Sequence, residues 1–269
     1  MSKESEQEMK PSNRVPSALL GCAVLLAGCA GIAGPQVEPV DYGAIVASAD
    51  RSEADRQTDQ RRNPELLLAF TGVRPGMKVL DMGAGGGYST ELLARAVGPG
   101  GTVYAQDAQA VSPRAKEAFE ERAKKPAMKN VVRVARDYDD PVPPEVRGLD
   151  LITFFFAYHD TAFMSVDRAR MNRALFEALK PGGVLVIADH SAQPGAGVSV
   201  ARSLHRIDET VLRREVEAAG FRPAAEADFL RHPEDPRDAI VFRPKVPVDE
   251  FVLKFVKPRQ ASSAATYSM

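Results

Sequence analysis

A run of nine residues, Val79-Leu80-Asp81-Met82-Gly83-Ala84-Gly85-Gly86-Gly87, constrains the fold of this chain more than any other segment. Its first half is apolar and long enough for a buried strand; its second half carries so little side chain that it must turn. Residues 89–97 follow with Leu92, Leu93, Ala96 and Val97 on one helical face. A strand feeding a helix through such a turn leaves backbone N–H groups unpaired, and Gly83, Gly85 and Gly87 remove the side chains that would hold a ligand off them. The segment therefore predicts an α/β fold with a nucleotide-like ligand at this turn. A dinucleotide turn, G-x-G-x-x-G, would need its third glycine where Tyr88 stands.

From residue 78 onward strand and helix patterns alternate, which is the mark of a parallel sheet with crossover helices. Strands are expected at 78–82, 102–106, 131–135, 149–156 and 184–189, and helices at 113–125, 166–179 and 209–219. Lys180-Pro181-Gly182-Gly183 reads as the turn that ends a helix before the fifth strand. Two more strands, 225–230 and 250–256, flank a proline-rich insertion and are expected to close the sheet as an antiparallel pair. Upstream, residues 50–62 are charge-dense and helical, and Asn63-Pro64 opens a short helix to Gly72 with Asn as N-cap.

The G-x-G-x-G turn, with Asp81 two residues before it, resembles motif I of class I S-adenosylmethionine-dependent methyltransferases, and Leu179-Lys180-Pro181-Gly182-Gly183 resembles a second segment of that family. The resemblance implies a doubly wound, Rossmann-like seven-stranded sheet with an antiparallel last strand, and S-adenosylmethionine as cofactor. It implies that Gly83, Ala84, Gly85 and Gly87 wrap the amino-acid end and ribose of that cofactor, and that Asp81 orders the loop or meets the cofactor's amino group. Asp107, after the second strand, would hold the ribose hydroxyls, with Gln106 able to share the role; a carboxylate suits such a pair because it accepts two hydrogen bonds at once. Asp137, after the third strand, would accept from the adenine amino group.

The fourth strand ends in Ala157-Tyr158-His159-Asp160, where the methyl acceptor is expected. His159 is the first candidate for a base, and Asp160 either orients it or caps the following helix. His190, after the fifth strand, and His205-Arg206 in the next connection reach towards the same pocket. Positioning alone also serves transfer from a sulfonium, so a base is not obligatory. Histidines on several strand tips invite a metal held by His159, His190 and nearby acids, but no tight ligand spacing accompanies them and no metal site is expected. Arg56, Arg61 and Arg62 read as a solvated helix face or as part of a lid.

Both cysteines, Cys22 and Cys29, stand near the start of the chain, which leaves the folded domain without disulfides or cysteine-based zinc sites. Residues 18–27 form an apolar run too short to span a membrane and of the length of a signal-peptide core. Leu26-Ala27-Gly28-Cys29 closes it and resembles the bacterial lipobox, in which the cysteine becomes the lipidated N-terminus. The resemblance implies a signal peptide over 1–28, lipid on Cys29, a tether over 29–50, the catalytic domain with its N-terminal helical segment over 51–257 and a disordered tail over 258–269. Glu4, Glu6 and Glu8 offset the basic residues expected of a signal peptide, and a start at Met9 removes them. Together with Asp81-Met82-Gly83-Ala84-Gly85-Gly86-Gly87-Tyr88, Ala157-Tyr158-His159-Asp160 and Leu204-His205-Arg206-Ile207-Asp208, the lipobox resembles a group of bacterial predicted exported methyltransferases. The expected setting is the periplasmic side of a bacterial membrane, through a lipid anchor.

Lys and Arg number 35 against 36 Asp and Glu, a net charge of -1 that argues against nucleic acid as substrate. The expected acceptor is a small molecule or an envelope component. Because S-adenosylmethionine is made in the cytosol, a non-catalytic exported lipoprotein that binds it or a nucleoside is the first alternative. A Rossmann oxidoreductase is the second, disfavoured by Tyr88.

Overall fold

The computed structural model describes residues 39–109, 111–242 and 244–259. The signal-peptide, Met9 and Cys29 readings and the tail from residue 260 lie outside the described residues. The chain builds one seven-stranded sheet of order β3-β2-β1-β4-β5-β7-β6 from β1 (Lys78–Met82), β2 (Thr102–Asp107), β3 (Val131–Ala135), β4 (Leu149–Phe155), β5 (Leu179–His190), β6 (Arg222–Ala227) and β7 (Glu250–Val256). The pairs among β1 to β5 are parallel, and β7 runs antiparallel to both β5 and β6. This is the expected doubly wound sheet with its antiparallel close.

Period-two alternation sorts the apolar residues onto two faces. Val79, Val103, Leu151 and Val186 pack in one cluster, where α3 (Pro64–Thr71) brings Leu67 and Leu68 and α4 (Tyr88–Val97) brings Leu92, Leu93, Ala96 and Val97. Their neighbours Leu80, Ile152, Leu185 and Ile187 face the other cluster, supplied by Met171 and Leu175 of α6 (Arg168–Ala178) and by Leu212 and Val216 of α8 (Glu209–Ala218). A sheet covered on both faces explains why β4 is apolar at nearly every position.

The helix starts carry their own chemistry. Ser52 and Asp55 form a reciprocal capping box on α2 (Glu53–Arg62), and Ser112 caps α5 (Pro113–Ala123). Asp167 and Asp208 cap α6 and α8. Asn63 departs from expectation: it holds a left-handed backbone and makes no side-chain cap, so Pro64 alone sets the entry to α3.

Three other expectations are corrected. Within the stretch read as a tether, residues Tyr42–Val46 form a short helix, α1, whose Tyr42 hydroxyl donates to Val73 O at 2.7 Å and whose Ile45 and Val46 pack on the α3–α4 cluster. The helix-ending turn at 180–183 is a bulge inside β5, between the pairs Leu149–Leu179 and Leu151–Val184. β6 begins at Arg222 rather than 225, because pairing with β7 places it and not its own apolar content; its residues 222–226 are exposed, and Pro223 is tolerated on an edge strand.

The insertion between β6 and β7 is tied down by Arg206, which follows α7 (Ala201–Leu204). Its guanidinium, almost wholly buried, donates to Asp235 Oδ2 at 2.7 Å, Ser191 O at 3.0 Å and Ala239 O at 2.9 Å. Among the described residues no helix is long and apolar enough to cross a membrane.

Candidate functional site

In an open α/β sheet the ligand crevice lies beyond the strand tips where the strand order reverses. Here that point is between β1 and β4, and a cavity of about 340 Å³ opens there, lined by Asp81, Gly83, Gly85, Asp107, Tyr138 and Asp160 among others. The glycine turn is held from β2. Gly83 N–H donates to Gln106 Oε1 at 3.2 Å, Ala84 N–H to Gln106 O at 2.9 Å and Gly85 N–H to Asp107 Oδ1 at 3.1 Å. Gln106 thus holds the loop from the strand behind it and is anchored in turn by donating to Arg136 O at 2.7 Å.

Each glycine has a separate cause. At Gly83 a Cβ would stand 2.9 Å from Ala157 Cβ on a backbone with φ +65°, so the loop closes against β4 only without a side chain. At Gly85 the nearest atom to a Cβ would be Gly83 O at 3.9 Å, which leaves the cavity side open. Gly87 is corrected: it does not line the cavity, and its Cβ would meet Phe119 and Arg122 at 3.0 Å, so it serves the packing of the α4 start on α5.

Asp81 is fully buried, with Thr90 Oγ1 donating to its Oδ2 at 2.6 Å and Thr153 Oγ1 to its Oδ1 at 2.8 Å. It therefore ties α4 to β4 at the two sides of the glycine turn. Burial pushes its pKa up to about 6 against those two hydrogen bonds. Burial also raises the Asp107 carboxyl, whose Oδ2 has no protein hydrogen-bond partner among the described residues.

Asp137 is corrected as well. It is exposed and does not line the cavity; its neighbour Tyr138 does, with its ring stacked on Phe154 at 5.8 Å. Arg62 also lines the cavity, its guanidinium 4.5 Å from the Phe156 ring centre and 5.2 Å from that of Tyr88. Burial and the charge of Arg61 lower its pKa to about 10, and it forms no ion pair among the described residues. The end of α2 is thus a cover over the cavity. It is strapped down by Arg51, which pairs with Asp59 at 2.6 Å; by Tyr88 Oη, which donates to Asp59 at 2.5 Å; and by Arg122, which joins Asp55 to the buried Glu91.

A second cavity, of about 390 Å³, adjoins the first and is lined by His159, Asp160, His190, His205, Phe242 and Arg62 among others. Asp189, at the end of β5 and fully buried, accepts the His159 main-chain N–H at 2.8 Å and lies 2.7 Å from His159 Nδ1. Burial opposes charge on His159, yet Asp189 and Asp160 outweigh it and push the pKa up to about 10; the same pairing holds Asp189 below the usual carboxylate range despite its burial. That pairing favours the charged ring, and a protonated imidazole has no lone pair with which to take a proton, so it works against the base role expected of His159. Asp160 makes no helix cap: its Oδ1 lies 3.1 Å from His159 Nε2 and 3.3 Å from His205 Nδ1. His190 reaches the cavity with its ring stacked on Phe156 at 5.3 Å and its Nδ1 2.9 Å from Glu250 Oε1. Phe156 holds its place between the cavities on a left-handed backbone, φ +58°, rare for so bulky a residue.

Sequence reasoning did not single out Tyr138 or Asp189. Asp189 had a signal, being an acid at a strand tip beside His190; Tyr138 is displaced by one residue from the acid chosen.

A sheet of this order, with a glycine cradle on β1 and an acid at the tip of β2, defines the class I methyltransferase fold. The chain belongs to the methyltransferase-domain family, whose model matches residues 74–218. It is 28% identical over 156 residues to the protein-L-isoaspartate O-methyltransferase of Ignicoccus hospitalis, covering 58% of this chain and 66% of that one. It is 28% identical over 175 residues to the ubiquinone/menaquinone biosynthesis C-methyltransferase UbiE of Cronobacter sakazakii, covering 63% and 65%. The match thus spans slightly less than two thirds of the length of either relative. A SAM-dependent methyltransferase from Aquifex aeolicus shares the fold, with a TM-score of 0.54, 21% identity, and coverage of 81% of this chain and 98% of that one. The cofactor of the class is S-adenosylmethionine, and the open face at Gly85 together with the free Asp107 oxygen fits it.

Proposed function

We propose that this chain transfers a methyl group from S-adenosylmethionine, held in the glycine cradle, to a small acceptor in the second cavity, and that it does so as an exported, lipid-anchored protein. The observation behind the transfer is a shared wall: Arg62, Phe156 and Asp160 line both cavities. Two chambers that meet at three side chains suit a reaction in which one substrate hands a group directly to another. When bound, the cofactor supplies a sulfonium methyl, whose C–S bond breaks with its electron pair returning to sulfur as the acceptor atom bonds to carbon.

The chain's own residues bind and align. Asp107 offers an oxygen to the ribose diol, and the unpaired Arg62 guanidinium suits the carboxylate of the amino-acid end. Ionised Asp81 presents negative charge to the ammonium while holding α4 to β4. Phe156 and Tyr138 wall off water. The names of the relatives include an oxygen and a carbon methyltransferase and so leave the acceptor atom open. The second cavity joins His, Asp and Arg groups to Val241 and Phe242, which suits a small molecule with a polar head and an apolar body.

Export and anchoring rest on the apolar run 18–27 and on Leu26-Ala27-Gly28-Cys29. Mass spectrometry of the mature protein is expected to find a diacylated Cys29 at the N-terminus, with processing blocked in Cys29→Ser; an unmodified N-terminus upstream of Cys29 rejects it.

Transfer is tested with the purified chain, methyl-labelled S-adenosylmethionine and an envelope extract. Label is expected in an extractable small molecule, with S-adenosylhomocysteine formed in equal amount. Tight cofactor binding without label transfer assigns the protein to the binding-only alternative. Preference for NAD over S-adenosylhomocysteine in calorimetry overturns the cradle assignment.

A further inference from the structure

We propose that His159, Asp160 and His205 hold a divalent first-row transition ion at the acceptor side of the shared wall. His159 Nε2, Asp160 Oδ1 and His205 Nδ1 converge, separated by 3.1, 3.2 and 3.3 Å. Ligand atoms about 2.0–2.1 Å from one tetrahedral ion stand roughly 3.3 Å from each other, so these three form one face of such a site without moving. Hydrogen bonding alone accounts poorly for the cluster. Asp160 Oδ1 is buried within 3.1 and 3.3 Å of two imidazole nitrogens, yet it forms a well-aligned hydrogen bond with neither. A buried carboxylate oxygen converging with two ring nitrogens, and well aligned with neither, is placed to share a cation with them.

The surroundings match what a metal-bound imidazole needs. Asp189 engages Nδ1 of His159 at 2.7 Å and the main-chain N–H at 2.8 Å, which fixes the ring and leaves Nε2 to present its lone pair to a metal in place of a proton. His205, at the end of α7, is set by the rings of Phe163 and Phe242, 5.7 and 4.6 Å from its own. Two nitrogens and one carboxylate oxygen suit zinc, iron(II) or cobalt(II) better than magnesium or calcium, which favour all-oxygen cages.

Three protein ligands leave a coordination position open to the second cavity, which the same three residues line. The ligand class for that position is an acceptor with an ionisable hydroxyl or thiol. On joining the ion, its oxygen or sulfur releases its proton to solvent, while the ion keeps its oxidation state and the acceptor becomes an anionic nucleophile. This use of the ion rests on the methyl-transfer reading; occupancy of the site does not. It also supplies the activation that a metal-bound His159 would not, because its Nε2 lone pair is then taken up by the ion.

The test is titration of the purified full chain with cobalt(II) alone, without S-adenosylmethionine, followed by visible absorption and metal analysis. One equivalent is expected, with the intense d–d bands of a four- or five-coordinate ion, displaced by zinc(II). His205→Asn, chosen because asparagine tolerates a left-handed backbone, and Asp160→Asn are each expected to weaken binding by at least about a hundredfold, and Asp189→Asn by roughly 10- to 100-fold. His232→Asn, at the exposed histidine beside Glu234, is expected to leave binding unchanged. A weak octahedral spectrum in the wild type, or identical titrations for wild type and His205→Asn, overturns the proposal. S-adenosylhomocysteine affinity, measured separately on wild type and His205→Asn, is expected to be equal, so failure of the metal site and failure of the cofactor cradle give different results.

Discussion

Asp107 Oδ1 accepts the Gly85 N–H at 3.1 Å, so the acid at the tip of β2 builds the loop beyond β1 as well as facing the cavity beside it. One carboxylate oxygen shapes the cradle and the other remains for the ligand.

Substitution separates those two roles. Asp107→Asn keeps an acceptor for Gly85 but loses the charge, and is expected to weaken S-adenosylhomocysteine binding roughly tenfold; Asp107→Ala loses both and is expected to weaken it about a hundredfold or more. Calorimetry on the two variants reads the difference. Equal losses would mean that Asp107 acts on the ligand alone.

Gly85 has φ +54°, so Val at this position would strain the loop as well as fill the cavity. Gly85→Asn tolerates the backbone and places its amide in the ligand's space. It is expected to retain the melting temperature within a few degrees while binding no measurable S-adenosylhomocysteine; retained binding would remove the cradle from the ligand site.

Asp81 gives the cofactor site a pH dependence of definite sign. Because burial lifts its carboxyl to about 6, the free protein still holds that proton in mildly acidic solution, where an ordinary aspartate has lost it. A cationic cofactor favours the ionised form, so affinity is expected to rise as pH climbs through about 6 and to level off above it. Calorimetry near pH 5.5, in buffers of different protonation enthalpy, is expected to show proton release on binding that is absent in Asp81→Asn. Proton uptake would contradict the assignment.

The insertion between β6 and β7 is expected to depend on one buried ion pair. Asp235→Ala leaves the Arg206 guanidinium buried and unpaired and is expected to cost about 3–5 kcal/mol in urea unfolding. The double variant Asp235→Ala/Arg206→Met is expected to lose less than the sum of the single changes, because the stranded charge is gone. Strict additivity would show that the two do not act as a pair.

The parts of this site that were legible in the sequence are those built locally. Residues 78–97 carry a strand, a turn and a helix in one continuous segment, and the strand-tip rule then led to Asp107 and to His159. What escaped depended on atoms brought together from a distance. His159 and His205 are separated by 46 residues yet 3.2 Å apart at their ring nitrogens, and no spacing pattern encodes that meeting. Tyr138 was missed by a single position, because side-chain direction just past β3 follows the path of the backbone rather than the order of residues. The acid that sets the charge of His159 was hidden in the same way: Asp189 is adjacent to His190 in sequence but binds His159 in space.

Phe156 and His205 both hold left-handed backbones, at φ +58° and +54°, and both border the second cavity. Neither conformation is one that an unconstrained chain would choose, and each costs of the order of 1–3 kcal/mol that packing elsewhere must offset. On the proposed reading of the second cavity, thermostability and methyl transfer therefore pull in opposite directions at these two positions. Selection for a tougher protein alone would erode the second cavity first, and a consensus or ancestral redesign that relaxes either backbone should yield a sturdier molecule that has lost the alignment of its two chambers.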